Sequence, residues 1–369
     1  MENWILRVAG IAPETTDMKT IFLERRSGEP IHYEAGQFLT LLFTFRGHDL
    51  RRSYSFSTTP GIDATAAITV KRVPNGEISR HLLDHLRVGD VLTTLPPAGR
   101  FTLGASGQEE GAAVRGAKKL VFIAAGSGLV PVFSLLKQGV AMGMRPLLLT
   151  QQHDEASSPF RTALKSLGLN WTEMLTVRDG RLTKDRLVAW VVASGLGSDV
   201  RFYLCGPPDF MRMVQITLRT LGFPDETIRR EHFTVGYIPP APPVFDATPK
   251  KVLVRGAVDR AGVDRAGVDR AAVDHVFVVT WPDSILTAAI RQGVPLPYSC
   301  RAGRCSSCVA HCRRGRVRMT HNEVLTDKDL AEGLVLTCVG YAETDVELDY
   351  ARSPAANAKG SKDPDSGIT

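Results

Sequence analysis

A membrane span is missing from this sequence. Its longest uncharged run, residues 120–136, is nearly membrane-length, but Gly126, Ser127, Gly128 and Pro131 interrupt it and fit strand, turn and helix instead. A secretory start is missing as well: Met1-Glu2-Asn3-Trp4 has neither a basic opening nor an apolar stretch, so the expected address is cytoplasmic. Charge of one sign is nearly balanced, with 45 Lys and Arg against 39 Asp and Glu. The resulting +6 is small for 369 residues, and no nucleic-acid partner is expected. Cysteine is scarce and uneven. Of six, Cys300, Cys305, Cys308 and Cys312 crowd together, Cys338 lies beyond and Cys205 stands alone, which does not fit an evenly spread disulfide framework. In a cytoplasmic chain such crowding points to metal.

What is present is a folded, soluble protein, with 43% hydrophobic and 23% charged residues. Its length suits two or three domains at about 100–200 residues each. Residues 1–104 carry short β-branched and aromatic runs at 37–45, 67–73 and 91–95, separated by Gly, Pro and Asn, a pattern that predicts a small antiparallel barrel. A Gly-, Ala-, Ser- and Glu-rich connection at 105–117 follows. Across 117–234, strand-like runs (119–124, 146–150, 201–204) alternate with helical periodicity (131–142, 159–167, 209–221), which predicts a parallel sheet wrapped by helices. Residues 235–249 contain IPPAPPVFDATP and read as a semi-rigid linker. A third domain spans 250–350. Its repeat at 256–275, GAVDR-AGVDR-AGVDR-AAVDH, fits neither helix nor strand period and is expected to be an expanded hairpin loop between strands 250–254 and 276–280, with a partner-binding role as the alternative. The tail, 351–369, is expected to be disordered.

Cys300, Cys305 and Cys308 follow Cys-x4-Cys-x2-Cys, and Cys338 lies 30 positions further on in a strand-like context. This is the plant-type spacing for a 2Fe-2S cluster; zinc would bring pairs of Cys-x2-Cys. Gly303 lets the loop wrap the inorganic core while Cys338 closes the site from a distant strand. Cys312 is expected to be a small hydrophobe near the site and not a ligand. Residues 284–348, with PDSILTAAIRQGVPLPYSCRAGRCSSC and LTCVGYAETDVELD, resemble a plant-type ferredoxin domain.

Arg52-Ser53-Tyr54-Ser55-Phe56-Ser57 places a cation, an aromatic ring and hydroxyls on alternating faces of a strand. A flavin needs a guanidinium for phosphate, a flat ring such as Tyr54 for the isoalloxazine and a hydroxyl such as Ser55 near its reactive edge. Gly76-Glu77-Ile78-Ser79 then opens a helix whose free N–H groups can hold phosphate, and Pro97-Ala98-Gly99-Arg100-Phe101 follows. In that order the three resemble the flavin barrel of the ferredoxin reductase superfamily. Ala125-Gly126-Ser127-Gly128-Leu129-Val130-Pro131 follows a strand and opens a helix, as a pyrophosphate turn does. Tyr203-Leu204-Cys205-Gly206-Pro207-Pro208, with Met211 beyond, ends a later strand, and the resemblance implies that Cys205 lies beside the nicotinamide C4 while Gly206 and Pro207 shape the pocket. Glu231-His232-Phe233 matches the superfamily's Glu-x-Phe, where the aromatic can approach the flavin. Ala125 and Val130 depart from the usual Gly and Thr.

The chain thus resembles ferredoxin reductase superfamily flavoproteins with a C-terminal plant-type ferredoxin, the order of phthalate dioxygenase reductase and of the phenylacetyl-CoA epoxidase reductase component. The implied fold class is multidomain: an antiparallel flavin-binding β-barrel, an α/β parallel-sheet nucleotide-binding domain and an α+β ferredoxin-like β-grasp domain. The implied activity is an NAD(P)H-dependent reductase that passes electrons through FAD, with FMN as the alternative, and a 2Fe-2S cluster to an oxygenase, hydroxylase or desaturase. The reductase is expected to be soluble, with a peripheral position at a membrane-bound acceptor as the alternative. A redox sensor or regulatory iron-sulfur flavoprotein is the rival reading. Six arginines between 301 and 318 with no acidic residue among them suggest a cationic docking face.

Overall fold

The structure, a computed structural model, describes residues 3–45, 48–104, 119–233, 246–257 and 273–350. The expected connection at 105–117, residues 235–245 of the expected linker, the centre of the repeat and the tail at 351–369 lie outside the described residues. The chain divides into two compact units, within Asn3–Tyr237 and within Ile238–Thr369.

The first unit begins with six strands, β1 (Trp4–Thr15), β2 (Met18–Arg25), β3 (Phe38–Phe45), β4 (His48–Ser55), β5 (Ala66–Lys71) and β6 (Val91–Thr94), in the order β4-β3-β6-β1-β2-β5. Neighbours run antiparallel, and a bridge from Phe56 to Ile68 joins the end of β4 to β5, closing the sheet on itself. Alternate residues point inward, so Leu6, Val8, Leu39, Leu41, Ile68 and Val70 fill the barrel. The helix Glu77–Asp84 adds Ile78, Leu82 and Leu83 to that core. Alternation in β1 is broken by register shifts at Val8/Gly10 and Pro13/Thr15, which hid this strand from periodicity.

Five parallel strands follow: β7 (Lys119–Ala125), β8 (Leu147–Gln152), β9 (Asn170–Leu175), β10 (Val200–Cys205) and β11 (Ile228–Glu231), in the order β11-β10-β7-β8-β9. The sheet is covered on both faces. Phe122, Leu148 and Tyr203 pack with the helix Leu129–Ala141 in one core, and Val121, Ile123, Phe202 and Leu204 pack with Leu187 and Val214 in the other. From β7 the chain builds outward through β8 and β9, then returns to lay β10 on the other side of β7. The carboxyl ends of β7 and β10 therefore flank the switch point where open parallel sheets take ligands.

One helix ties sheet to barrel. From Leu129–Ala141, Ser134 Oγ donates to Thr58 O at 2.5 Å, Thr59 Oγ1 donates to Ser134 O at 2.8 Å, and Lys137 pairs with Asp63 at 2.5 Å. The barrel strand ending in Arg52–Ser57 is thereby anchored to the helix that begins at the β7 turn.

The second unit holds β12 (Lys250–Ala257), β13 (Val273–Val279), β14 (Val309–Arg314), β15 (Val317–Met319), β16 (Leu334–Leu336), β17 (Gly340–Ala342) and β18 (Val346–Asp349). Its main sheet runs β13-β12-β18-β14-β16, with β12 and β18 parallel, while β15 and β17 form a separate ribbon. The helix Ile285–Arg291 packs Ile285, Leu286, Ala288 and Ala289 on Val252, Val254, Phe277 and Val279. β12 and β13 pair through Val254 with His275 and Ala257 with Val273, so both ends of the repeat are strand rather than loop. Among the described residues no helix is long and apolar enough to cross a membrane.

Candidate functional site

At the end of β4, Arg52 is exposed and its Nη1 donates to Arg51 O at 2.8 Å. Tyr54 is half-buried, and burial pushes its phenol up to about 12 against the opposing pull of Arg52. Ser55 is buried. Phe56 is wholly inside the barrel, stacked on Tyr33 with centroids 3.9 Å apart and planes 22° apart. Its ring is core, not ligand surface. Ser57 Oγ donates to Ala67 O at 3.4 Å and accepts from Thr69 Oγ1 at 2.8 Å. In the helix Glu77–Asp84, Gly76 is the N-cap and offers no side chain, Ile78 lies in the barrel core, and Ser79 Oγ accepts from Val73 N at 3.1 Å and donates to Gly76 O at 3.4 Å. What this motif offers a phosphate is its first-turn N–H groups, which have no intrahelical acceptor.

The two nucleotide motifs meet in space. Gly126, with φ +57°, has open space where a Cβ would stand, and Gln152 Nε2 donates to its carbonyl at 3.2 Å. Gly128 is the opposite case, because a Cβ there would lie 2.2 Å from Cys205 O and 2.7 Å from Gly206 N. The turn after β7 is thus pressed against the backbone that ends β10. Gly206 is less crowded, with a would-be Cβ 3.0 Å from Phe210 Cδ1 and 3.1 Å from Ala125 Cβ. Cys205 is fully buried, and its thiol is held well above the ordinary cysteine range, first by burial and then by the carboxylate of Glu231, its register partner on β11. It is a neutral thiol. Ser127 is half-buried and Pro207 exposed, whereas Pro131 and Met211 are buried, Met211 in the core beneath the helix Pro208–Thr220. Phe233 stands just past β11, 42% exposed.

Beyond β8, carboxylates already hold the nearby cations. Arg161 pairs with Glu155 at 2.9 Å and Glu173 at 3.0 Å, and Arg178 pairs with Asp179 at 2.8 Å. Sequence reasoning passed over Tyr33, Gln152 and Glu173; none belongs to a motif, and only the fold brings them to these places.

In the second unit Cys300, Cys305, Cys308 and Cys338 are all buried. Arg301, Gly303 and Ser306 have positive φ (56°, 71° and 55°), which curls the loop so that its N–H groups turn toward sulfur. Cys300 N donates to Cys305 Sγ at 3.3 Å, and Ala302 N and Arg304 N donate to Cys300 Sγ at 3.4 Å each. Gly303 is needed for a second reason, since a Cβ would lie 2.8 Å from His321 O. Electrostatically the strongest thiol neighbour of Cys305 is Cys300 and that of Cys308 is Cys338, with Cys305 also acting on Cys308. Within each pair the neighbouring thiol, followed by burial, raises Cys305 and Cys308 well above the ordinary range. Among the described residues no three His, Cys, Asp or Glu side chains converge as a single-ion site requires. Four buried cysteines, three on one loop and one just past β16, match the four thiolates that a dinuclear cluster takes, two to each iron. Cys312 points elsewhere, its Sγ toward Arg314 O and Gly315 O at 3.5 and 3.8 Å. The arginine stretch is less cationic than its composition suggests: Arg304, Arg313 and Arg316 pair with Glu323, Asp349 and Glu343, while Arg301 stands exposed over the Tyr298 ring.

With these sites in view, residues 12–103 match the oxidoreductase FAD-binding domain family and residues 269–343 the 2Fe-2S iron-sulfur cluster binding domain family. The ferredoxin reductase component of 3-ketosteroid-9-alpha-monooxygenase from Rhodococcus rhodochrous is 31% identical, over 92% of this chain and 95% of that protein. A component of 1,2-phenylacetyl-CoA epoxidase from Escherichia coli (strain K12) is 30% identical, over 94% of this chain and 97% of that protein. The structure of phthalate dioxygenase reductase aligns with a TM-score of 0.57 over 94% of this chain and 98% of that one at 24% identity, sharing the fold. The chain therefore belongs to the FAD- and 2Fe-2S-containing ferredoxin reductase components of oxygenase systems, flavoprotein oxidoreductases that carry electrons from NAD(P)H through FAD and the cluster to an oxygenase.

Proposed function

We propose that this chain draws electrons from NADH in particular and delivers them one at a time to a partner oxygenase in the cytoplasm, through three functional divisions: 1–104 for FAD, 117–234 for the nucleotide and 250–350 for the cluster, with 235–249 linking the last to the rest. Bound FAD supplies the conversion between a two-electron hydride donor and a one-electron cluster.

The protein's own residues do the positioning. Arg52 and the first-turn N–H groups at Gly76–Ser79 meet the flavin phosphates, Tyr54 lies along the ring system and Ser55 at its reactive edge. Gly126 leaves room for the nucleotide pyrophosphate, while Gly128 lets the turn seat against Cys205. Cys205, Gly206 and Pro207 then set the nicotinamide over the flavin, and the neutral thiol orients it without adding charge. Phe233 covers the flavin from the end of β11. Cys300, Cys305, Cys308 and Cys338 hold the cluster, and the observation that supports this role is that all four are buried while loop N–H groups donate to the sulfurs of Cys300 and Cys305. The donor preference rests on Arg161 and Arg178, whose guanidinium groups are committed to Glu155, Glu173 and Asp179 near the end of β8, where the adenosine ribose is read in folds of this kind. A 2′-phosphate entering there would meet carboxylates whose cations are already taken.

Two measurements test the reading. In Cys338→Ser, ferricyanide reduction by NADH should persist because the flavin suffices, while transfer to the protein acceptor should collapse. Full-rate delivery by cluster-free protein would refute a linear path. Comparison of kcat/KM for the two nucleotides should favour NADH by at least about tenfold, roughly 1.4 kcal/mol; equal values would remove the donor preference and leave the electron path intact.

A further inference from the structure

Arg304, inside the cysteine loop, forms an ion pair with a carboxylate from outside that loop. Its Nε lies 3.2 Å from Glu323 Oε1, and His321 Nε2 lies 2.7 Å from the same oxygen. The side chains of Arg304 and Glu323 are only 18% and 17% exposed, so solvent and salt screen this pair less than a surface one. The backbones interlock as well. Glu323 N donates to Gly303 O at 3.1 Å, and Gly303 comes close enough to His321 O to exclude a Cβ. Within the loop, Arg304 N donates to Cys300 Sγ at 3.4 Å. One continuous set of contacts thus runs from residues 321–323, through Arg304, to a sulfur of the first thiol pair.

We propose that Arg304 and Glu323 form a clasp that positions the cluster loop and sets the cluster's reduction potential, with Arg304 as the cation beside the sulfurs and Glu323 as its counter-charge. The proposal rests on reading Cys300, Cys305, Cys308 and Cys338 as the ligands. A cluster held by thiolates is anionic and gains a further negative charge on reduction, and its potential follows local charge, hydrogen bonds to sulfur and exposure. Arg304 favours the reduced form. Glu323 offsets that effect while fixing the guanidinium and, through it, the direction of the Arg304 amide toward Cys300. Because the two side chains carry opposite charges, removing them singly should move the potential in opposite directions. A purely mechanical brace would have no such sign.

The experiment compares holo wild type with Arg304→Gln, Glu323→Gln and Arg304→Lys, measuring the cluster midpoint by mediated titration followed by visible circular dichroism, and iron release to a chelator. The midpoint should fall in Arg304→Gln and rise in Glu323→Gln, and both variants should release iron about tenfold faster than wild type, as loss of an outer partner to a metal site usually does. Shifts in the same direction, or none, would overturn the clasp. Should Glu323→Gln fail to assemble, Arg304→Lys decides: a midpoint near wild type with faster iron release supports the proposal, and a midpoint as low as that of Arg304→Gln overturns it. Iron and sulfide content of the wild type tests the ligand assignment separately, since protein without iron would sink that reading before any variant was compared.

Discussion

Gly128→Ala is the sharpest perturbation of the nucleotide crevice. The added methyl would stand 2.2 Å from Cys205 O, 2.4 Å from Cys205 C and 2.7 Å from Gly206 N, all backbone atoms that no rotamer change can move. Relief to an ordinary contact of 3.4 Å needs 3.4 − 2.2 = 1.2 Å of separation between the β7 turn and the end of β10. Overpacking of this kind costs about 1–3 kcal/mol, and more where backbone must shift. A loss of about 3 kcal/mol in a unit of this size lowers the melting temperature by roughly 6–12 °C. If the crevice is the hydride-transfer site proposed above, a displacement near 1 Å there slows the chemistry by about 100-fold. The assays are differential scanning fluorimetry and stopped-flow reduction of the flavin by NADH, with cluster absorbance as a control on the second unit. Gly126→Ala is the companion, because its open surroundings leave only the strain of a positive φ, about 1 kcal/mol, together with a methyl in the space proposed for pyrophosphate. It should weaken nucleotide affinity more than it lowers the melting temperature. Wild-type melting and wild-type flavin reduction in Gly128→Ala would refute the inference that contact between the two motifs fixes the crevice.

Cys205→Ser should slow flavin reduction about tenfold or more while flavin and cluster absorbance stay as in wild type, and an unchanged rate would make Cys205 a packing residue. Since its thiol is held well above the ordinary range, the wild-type reduction rate should show no inflection from this group near the usual cysteine pKa. Tyr33 and Tyr54 give the barrel an alkaline limit: burial raises each phenol from 10 to about 12, so the folded state holds the protons more tightly. The stabilisation is complete below about pH 10 and is lost as pH rises through about 12, worth up to about 3 kcal/mol for each tyrosine. Urea midpoints that stay flat across that window, with both phenols titrating at ordinary values, would contradict the burial argument.

Sequence patterns revealed most where local rules act alone. β7 is a short apolar run ending in glycine, so strand and turn were legible, and six of its seven residues are buried between two layers of helix. The parallel sheet was legible from alternation, although β9 and β11 escaped it; β9 shows mostly half-buried residues, and β11 is only four residues long. Site residues were legible as types but not as directions. In Arg52–Ser57 the letters suggest a ligand surface throughout, yet strand geometry and closure of the barrel at Phe56 send that ring into the core against Tyr33. The same limit applies to arginines. Composition counted Arg304, Arg313 and Arg316 as surface charge, and only the fold brings Glu323, Asp349 and Glu343 to them from positions 19 to 36 residues away.

The cysteine pairs show why spacing and geometry carry different information. Spacing names four sulfurs, but which sulfur adjoins which depends on two separate devices. Cys300 comes toward Cys305 because two left-handed residues between them, Arg301 and Gly303, curl the loop, the first at the steric cost of a side chain. Cys308 reaches Cys338 through a sheet. β14 pairs with β16 at Val309 with Leu336, which sets Cys308 opposite Thr337; Thr337 N and Oγ1 both donate to Cys308 O, at 3.2 and 3.1 Å, and Thr337 Oγ1 also contacts the buried Tyr350 hydroxyl at 3.1 Å. Cys338 itself lies two residues past β16, in the turn before β17, so a slip of one residue in that register would shift the turn that carries it away from Cys308. The loop pair is therefore local and the sheet pair non-local, so the first sulfur pair can form from residues 300–305 alone, whereas the second exists only once the strands of this unit have found their register.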